Sequence, residues 1–591
     1  MRQTHTEPIK PQRRKLCSNR ALYALSIFTV FPLGCAPADA PGADDEVEQV
    51  SAEQSPLVEQ ISAHQGACTL LHHGKVFTAN PQQRWAEALL VCGSRIVAIG
   101  SDRLLTPLRP FVRRSINLGG RTVVPGINDA HVHVLTVPGT RLNTPDFVPG
   151  AGPTMAEVVD LVAAGAAANP PNTWLYVTVG ESVLGDPNAN RLQLDPVSPN
   201  HPVILRSWAG HGTYLNSKAM AVLGISETEP DPFGGRYDRF PGTNIVNGGV
   251  HEYAEHTLSR KLFATQTDGE LRAAYEAFTR DAVRVGYTSI QDMALGLSRE
   301  RSIRVLAGAD LALRVRSICF PLSVDESCAE SPHFDPKNRL DVTGFKWITD
   351  GSPIERGAFL NAPYSDQPDT SGFFNFEQGA LHTMMSRGLK GSPIKNQALF
   401  HAVGDGAVDN VLASAAATGG PAAWNGRRFR LEHGDFVHPN HYQALRDLGA
   451  VVVQNPIHFG VRDLMISRAG PERAGESQVL KSLYDQGISV ALGTDSIGAV
   501  ESPWLDIFLA VMHPTHPEEA ITLEQAITAY TRGSAYAEFK EWEKGTLAVG
   551  MVADLAVLSQ DVFTVPVFDL PATQSVLTMV GGDIVWNDGT L

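Results

Sequence analysis

Val123-Val124-Pro125-Gly126-Ile127-Asn128-Asp129-Ala130-His131-Val132-His133 is the stretch on which the reading of this chain turns. An apolar run rich in β-branched residues predicts a buried strand, and Pro125-Gly126 marks a break near its end. Side chains alternate along an extended chain, so His131 and His133 project to the same side. Two imidazoles on one face, at the C-terminal end of a strand, can grip one divalent cation through ring nitrogens. A His-x-His pair in a chain with 19 histidines says little by itself, and two ordinary loop histidines would look the same.

Four further segments add weight. Thr343-Gly344-Phe345-Lys346-Trp347-Ile348-Thr349-Asp350-Gly351 sets a lysine among apolar and aromatic neighbours. A buried ammonium is costly unless its charge is removed or paired. Carbamylation by carbon dioxide would make Lys346 a carboxylate able to bridge two metals; an ion pair with Asp350 is the alternative. Ala398-Leu399-Phe400-His401, Phe429-Arg430-Leu431-Glu432-His433 and Val490-Ala491-Leu492-Gly493-Thr494-Asp495 repeat one pattern, an apolar run delivering a His or an Asp to a turn. Singly, each is more often structural. Five such runs, ending in a His pair, Lys, His, His and Asp, are hard to explain as accident.

Counting strands organises these residues. Apolar runs at 122–127, 288–291, 314–319, 344–348, 398–401, 428–432, 451–454 and 489–492 alternate with helical patterns such as 271–285 and 439–448. That alternation predicts a parallel (β/α)8 barrel. His131 and His133 then follow the first strand, Lys346 the fourth, His401 the fifth, His433 the sixth and Asp495 the eighth. All leave from the C-terminal face, where barrel enzymes keep their sites. His458, in Gln454-Asn455-Pro456-Ile457-His458, follows the seventh strand and is read either as a substrate contact or as structural. Asp350 and Asp405 are expected to steady neighbouring loops or ligands. Glu432 directly precedes His433 on one strand, so it should face away and makes a poor ligand.

Composition sets the outer bounds. A 591-residue chain with 43% hydrophobic and 19% charged residues suits a large barrel with a satellite domain. The formal charge, 48 − 63 = −15, argues against nucleic acid as a partner. Residues 1–35 read as an export signal: Arg13-Arg14-Lys15 and Arg20, then an apolar run from Ala21 to Phe31. Pro32-Leu33-Gly34-Cys35 resembles a bacterial lipobox, apart from Pro32, with Cys35 as the lipidated first mature residue; a cytoplasmic protein with a ragged leader is the alternative. Residues 36–66 are expected to form a disordered tether. Of six cysteines, Cys68, Cys92, Cys319 and Cys328 would remain to form one or two disulfides in an oxidising periplasm.

Taken together, Pro125-Gly126 through His133, the Gly344–Ser352 segment around Lys346, His401-Ala402-Val403-Gly404-Asp405, Arg430-Leu431-Glu432-His433 and Gly493-Thr494-Asp495 resemble the amidohydrolase superfamily, in the branch that includes N-substituted formamide deformylases. The tail Gly545-Thr546-Leu547-Ala548-Val549-Gly550-Met551-Val552-Ala553-Asp554 is similar too, and the resemblance covers residues 67–591. It implies a distorted TIM barrel at 123–542 and a small β-sandwich built from both chain ends, 67–122 and 543–591. It also implies one or two Zn²⁺ ions, with His131, His133 and Asp495 on one, His401 and His433 on the other, and carbamylated Lys346 between them. Water activated there would attack, and Asp495 would pass its proton to the departing amine. A long insertion, 135–280, contains Ser207-Trp208-Ala209-Gly210-His211-Gly212-Thr213-Tyr214-Leu215-Asn216, which also resembles this branch. His211 is a candidate for polarising a substrate carbonyl, or else caps the helix starting near Asn216. Trp208, Tyr214, Phe233, Tyr237 and Phe240 line an apolar entrance or pack the insertion's own core.

The resulting expectation is an exported, metal-dependent hydrolase of a C–N bond in a small non-peptide amide, an N-acyl or N-formyl compound. Deamination or cyclic-amide opening on the same scaffold is the alternative enzyme reading. A non-catalytic barrel that binds a solute is the alternative outside enzymes, and the full set of candidate ligands speaks against it.

Overall fold

A computed structural model describes residues 53–65, 67–143, 152–328 and 337–591. The leader with Cys35, and the tether as far as residue 52, lie outside the described residues. Within the stretch read as tether, Ser55–Ala63 is a helix instead. Leu57, Val58 and Ile61 share one face of it, and Ile61 packs with Leu70, Leu90 and Leu105. The composition of the stretch hid this apolar spacing. Among the described residues no helix is long and apolar enough to cross a membrane.

Eight parallel strands make the central sheet: β1 (Ile127–Val132), β2 (Tyr287–Met293), β3 (Arg314–Cys319), β4 (Leu340–Ile348), β5 (Ala398–Ala402), β6 (Arg430–His433), β7 (Val451–Gln454) and β8 (Ser489–Leu492). Each pairs in parallel with the next, from β1 to β8. The ring closes just beyond the outer strands. The Asp495 amide donates to the His131 carbonyl (2.8 Å), the His133 amide to Ser496 (2.9 Å) and the Gly498 amide to His133 (2.8 Å). Helices wrap the outside. Asp268–Ala282 shows why: a Thr267/Glu270 capping box starts it, and Leu271, Tyr275, Phe278 and Ala282 fall on its buried face.

The first barrel strand is shifted from its expected place. Thr122–Pro125 belongs to the satellite, pairing with Lys75–Phe77 and Leu555–Leu558. The chain passes into the barrel at Gly126, and β1 starts at Ile127, so His131 lies within a strand. Pro125 has no amide to donate, and Gly126 sits against β2 so tightly that a Cβ there would lie 2.0 Å from Thr288 Oγ1.

The satellite is a sandwich from both chain ends. One sheet contains Cys68–His72, Ala88–Cys92, Arg95–Gly100 and Arg114–Asn117; the other joins N-terminal strands to Leu555–Leu558, Ser575–Val580 and Asp583–Asn587. Leu71, Leu89 and Ile96 meet Val123, Leu555 and Leu577 in its core. Disulfides join Cys68 to Cys92, opposite one another on paired strands, and Cys319 to Cys328. A fourth sheet, six-stranded and mixed, fills much of the insertion, running Gly235–Arg239, Val246–Glu252, Thr213–Leu215, Val203–Ser207, Leu175–Val179 and Thr140–Arg141. The sequence pattern did not assign this sheet.

The Gly126 crossing gives a direct test. Gly126→Ala should lower the thermal unfolding midpoint by several degrees, an overpacking cost of about 1–3 kcal/mol. Adding Thr288→Ala should restore only part of it, because Thr288 Cβ itself lies 2.6 Å from the new methyl. An unchanged midpoint in the single variant would mean the two segments are free to part.

Candidate active site

The closing seam is also where the candidate residues meet. His131, on β1, is fully buried, and its Nδ1 donates to Glu432 Oε2 at 2.6 Å. Its Nε2 faces inward, 2.7 Å from Lys346 Nζ and 3.4 Å from Asp495 Oδ1. His133 Nε2 lies 3.2 Å from the same Asp495 oxygen. His433 Nδ1 donates to Asn455 Oδ1 (2.8 Å), and Asn455 in turn donates to the Gly493 carbonyl (2.8 Å). The His433 ring stands 4.7 Å from the His131 ring and 4.5 Å from His401. Ligand atoms of His131, His433 and Asp495 all fall within 4.8 Å of one another.

Backbone strain sits at the same points. His433 and Asp495 have φ of 68° and 56°, a left-handed conformation uncommon for residues other than glycine. It turns each side chain inward where its strand segment ends.

The electrostatics suit a cation. Burial holds His131 down to about 4 and lowers His133, His401 and His433 as well, so these rings offer neutral nitrogen lone pairs. Burial would raise Asp495, but His131, His433 and the hydrogen bond from His133 hold its carboxyl well below the usual range. Burial brings Lys346 down to about 8. Glu432 is gripped by Arg430, whose Nε reaches Oε1 at 2.7 Å and Nη2 reaches Oε2 at 2.9 Å. Burial opposes ionisation there, yet Arg430 and His131 keep Glu432 down to about 2. Neutral imidazoles beside a carboxylate form the nitrogen and oxygen donor set of a divalent metal. His133 Nδ1, buried without a hydrogen-bond partner among the described residues, marks a cluster its protein contacts leave incompletely satisfied.

The structure decides among several alternatives. Lys346 does not pair with Asp350. That carboxylate accepts amides from Val403 (3.0 Å), Gly404 (2.8 Å) and Phe359 (2.9 Å), and so ties loops together. His211 does not cap the helix at Ser217–Val222, because Asn216 does, accepting from Ala219 at 2.8 Å. His211 instead faces the pocket, its ring 4.6 Å from His401, with Nδ1 3.3 Å from both Glu252 oxygens. Of the five insertion aromatics only Trp208 lines the pocket. Tyr214 and Tyr237 pack insertion cores, Phe233 stacks on Phe376, and Phe240 lies against Arg191.

His458 also lines the pocket, with Nε2 3.7 Å from Asp495 Oδ2 and Nδ1 3.0 Å from Asp435. Burial disfavours its charge, but Asp435 and Asp495 raise it to about 10. Ile354, Ile457 and Met465 give the pocket an apolar wall. The sequence reading missed Asn455 and Glu252. The first sits before Pro456 at the end of β7, a position that could have flagged it. Glu252 has φ 55° and ψ −125°, conspicuous only in three dimensions. Asn375 donates to it at 3.1 Å, and a Cβ on Gly351 would lie 2.6 Å from its Oε1.

Comparison with known proteins agrees with this geometry. The amidohydrolase family profile matches residues 114–586. The chain is 25% identical over 543 residues to an N-substituted formamide deformylase of Arthrobacter pascens, covering 87% of this chain and 97% of that one. It is 26% identical over 544 residues to the Arabidopsis thaliana protein LONG AFTER FAR-RED 3, covering 87% and 90%. An uncharacterized metal-dependent hydrolase of Pyrococcus furiosus superposes with a TM-score of 0.63 at 24% identity, over 84% of this chain and 99% of that one, and so shares the fold. The family match takes in the whole barrel and strands of both satellite sheets, and this protein is an enzyme of the amidohydrolase family.

Proposed function

We propose that this protein hydrolyses the C–N bond of a small non-peptide amide, an N-acyl or N-formyl compound, at a centre of one or two Zn²⁺ ions. The observation that carries the reading is the convergence of His131, His433 and Asp495 within 4.8 Å, with both rings held by outer partners. His131, His133 and Asp495 would hold one ion and His401 with His433 a second, with Lys346, as a carbamate, between them. When bound, the metal supplies Lewis acidity, which acidifies water and polarises a carbonyl.

The side chains supply the rest. Asp495, ionised at the junction of both histidine pairs, accepts the proton of the attacking water and returns it to the leaving amine. His458 Nε2 stands 3.7 Å from Asp495 Oδ2 on the pocket side, and its charge biases which oxygen faces the substrate. His211, tethered by Glu252, donates to the carbonyl oxygen as negative charge develops there. Trp208, Ile354, Ile457 and Met465 exclude water from the acyl group. The formamide substrates named for the Arthrobacter relative support the amide class. Two disulfides support an oxidising location, and so an exported protein; an anchor through Cys35 rests on the lipobox-like Pro32-Leu33-Gly34-Cys35 alone.

A panel of N-formyl and N-acyl amines, with lactams and aminated heterocycles beside them, tests the reading. Release of a carboxylic acid together with an amine is expected. Ammonia, or a ring-opened product alone, would move the protein to the alternative chemistry. On a substrate so found, Asp495→Asn should keep most of its zinc while kcat falls by at least about 10²-fold, as general acid–base help is typically worth 10²–10⁴. A near-normal kcat would put the base elsewhere.

Lys346→Ala should lose zinc by elemental analysis and turnover in parallel, and a short carboxylic acid should restore part of both. Full zinc content with normal turnover would make Lys346 a structural residue.

A further inference from the structure

Helix Tyr253–Ala264 carries a histidine that the proposed chemistry leaves unused. His256 is 3% exposed, and neither ring nitrogen has a hydrogen-bond partner among the described residues. Its ring packs edge-on against Tyr253 and Phe320, each with centroids 5.1 Å apart. A buried imidazole with both nitrogens unpaired is costly, and native interiors avoid it unless something polar comes to meet the ring.

The surroundings show what could meet it. His256 lines a small chamber together with Lys346, His133, Arg206, Phe320 and Ile348. Lys346 Nζ lies 5.9 Å from the centroid of the same Phe320 ring that His256 abuts. Of the polar groups beside it, Arg206 pairs with Glu255 (2.9 Å) and His133 Nε2 with Asp495 (3.2 Å), leaving His133 Nδ1 as the other imidazole nitrogen there without a partner among the described residues. Among the described residues the lysine amine has one hydrogen-bond partner, His131, and the chamber offers room beside it.

We propose that His256 is a positioning residue for a carbamate on Lys346, donating a ring N–H to one carbamate oxygen. The inference rests on the reading of Lys346 given above. In that modification the Nζ lone pair forms a bond to the carbon of CO₂. One C=O π pair moves onto oxygen, and an N–H proton leaves to water. The product is a planar anion with two acceptor oxygens where the amine had none, and His256 supplies a donor in a chamber otherwise walled partly by Phe320 and Ile348. His256 acts through Lys346 and touches neither substrate nor the reacting carbonyl.

The test uses the full chain, freed of metal and dissolved carbonate, then titrated with ¹³C-bicarbonate alone and with zinc. Carbamate is read by ¹³C NMR and bound zinc by elemental analysis. The wild type should show a carbamate resonance. His256→Leu should need about tenfold or more bicarbonate for half-labelling, the scale of losing one hydrogen bond to a charged group. His256→Gln, which keeps an N–H donor, should recover most of that shift. The thermal midpoint of His256→Leu should not fall, because an unpaired polar ring has been replaced by an apolar side chain; His256→Phe repeats the comparison nearer the original volume. Equal bicarbonate dependence in wild type, Leu and Phe variants would overturn the role of His256 and leave the carbamate standing. No carbamate signal in the wild type, with or without zinc, would instead overturn the reading of Lys346 and this inference with it.

Discussion

Three backbone hydrogen bonds between residues 131–133 and 495–498 close the barrel, and the geometry of the active site depends on them. They fix His131, His133 and Asp495 relative to one another before any side chain is considered. Asp129 reinforces the seam from within: its carboxylate accepts the amides of His131 (3.0 Å) and Thr494 (3.1 Å) and the Thr494 hydroxyl (2.6 Å). Burial pushes that carboxyl up to about 7, against those three donors. A buried acid tolerated there, in a place where an apolar residue would pack more cheaply, is consistent with a seam under demand for position more than for stability.

Orientation is then handed outward through short chains of hydrogen bonds. Arg430 holds Glu432, Glu432 holds His131 by Nδ1, and His131 Nε2 is left facing Lys346 and Asp495. On the other side Asn455 holds His433 by the same nitrogen. Each chain fixes the tautomer, and for His131 it leaves Nε2 turned to the cluster. Several buried imidazoles forced to stay neutral, beside a carboxylate forced to stay charged, form an arrangement with little to stabilise it by itself. A divalent cation balances it, because it takes the lone pairs and the negative charge together.

Much of this was legible in the sequence, for a simple reason. A two-residue period puts His131 and His133 on one side wherever the strand begins, so misplacing β1 by several residues does not change the side they share. Strand ends delivering Lys346, His401, His433 and Asp495 are local signals too, since each is written within one apolar run. Glu432 shows the limit. Alternation predicts that it faces away from His433. Yet both side chains meet the His131 ring, Glu432 at Nδ1 (2.6 Å) and His433 with its ring 4.7 Å away, because the left-handed backbone at His433 breaks the alternation. His131 lies 301 residues from Glu432, a partner that no local pattern names. The insertion sheet was opaque because several of its strands are short and its order interleaves segments far apart in the chain.

That opacity has a functional side. The barrel seam fixes the cluster, whereas the insertion supplies Trp208 and His211 to the pocket and Glu252 behind them. Glu252 sits at the joint between the last insertion strand and helix Tyr253–Ala264, in a backbone conformation that costs of order 1–3 kcal/mol. The strain is tolerated because both neighbours are pinned, the strand within its sheet and the helix through Tyr253, whose hydroxyl accepts the Ile348 amide on β4 at 3.1 Å. One strained residue thus links the element that shapes the substrate pocket to the strand that carries Lys346. Substrate preference can therefore change with the insertion's surface while the barrel keeps its chemistry, provided this joint is held.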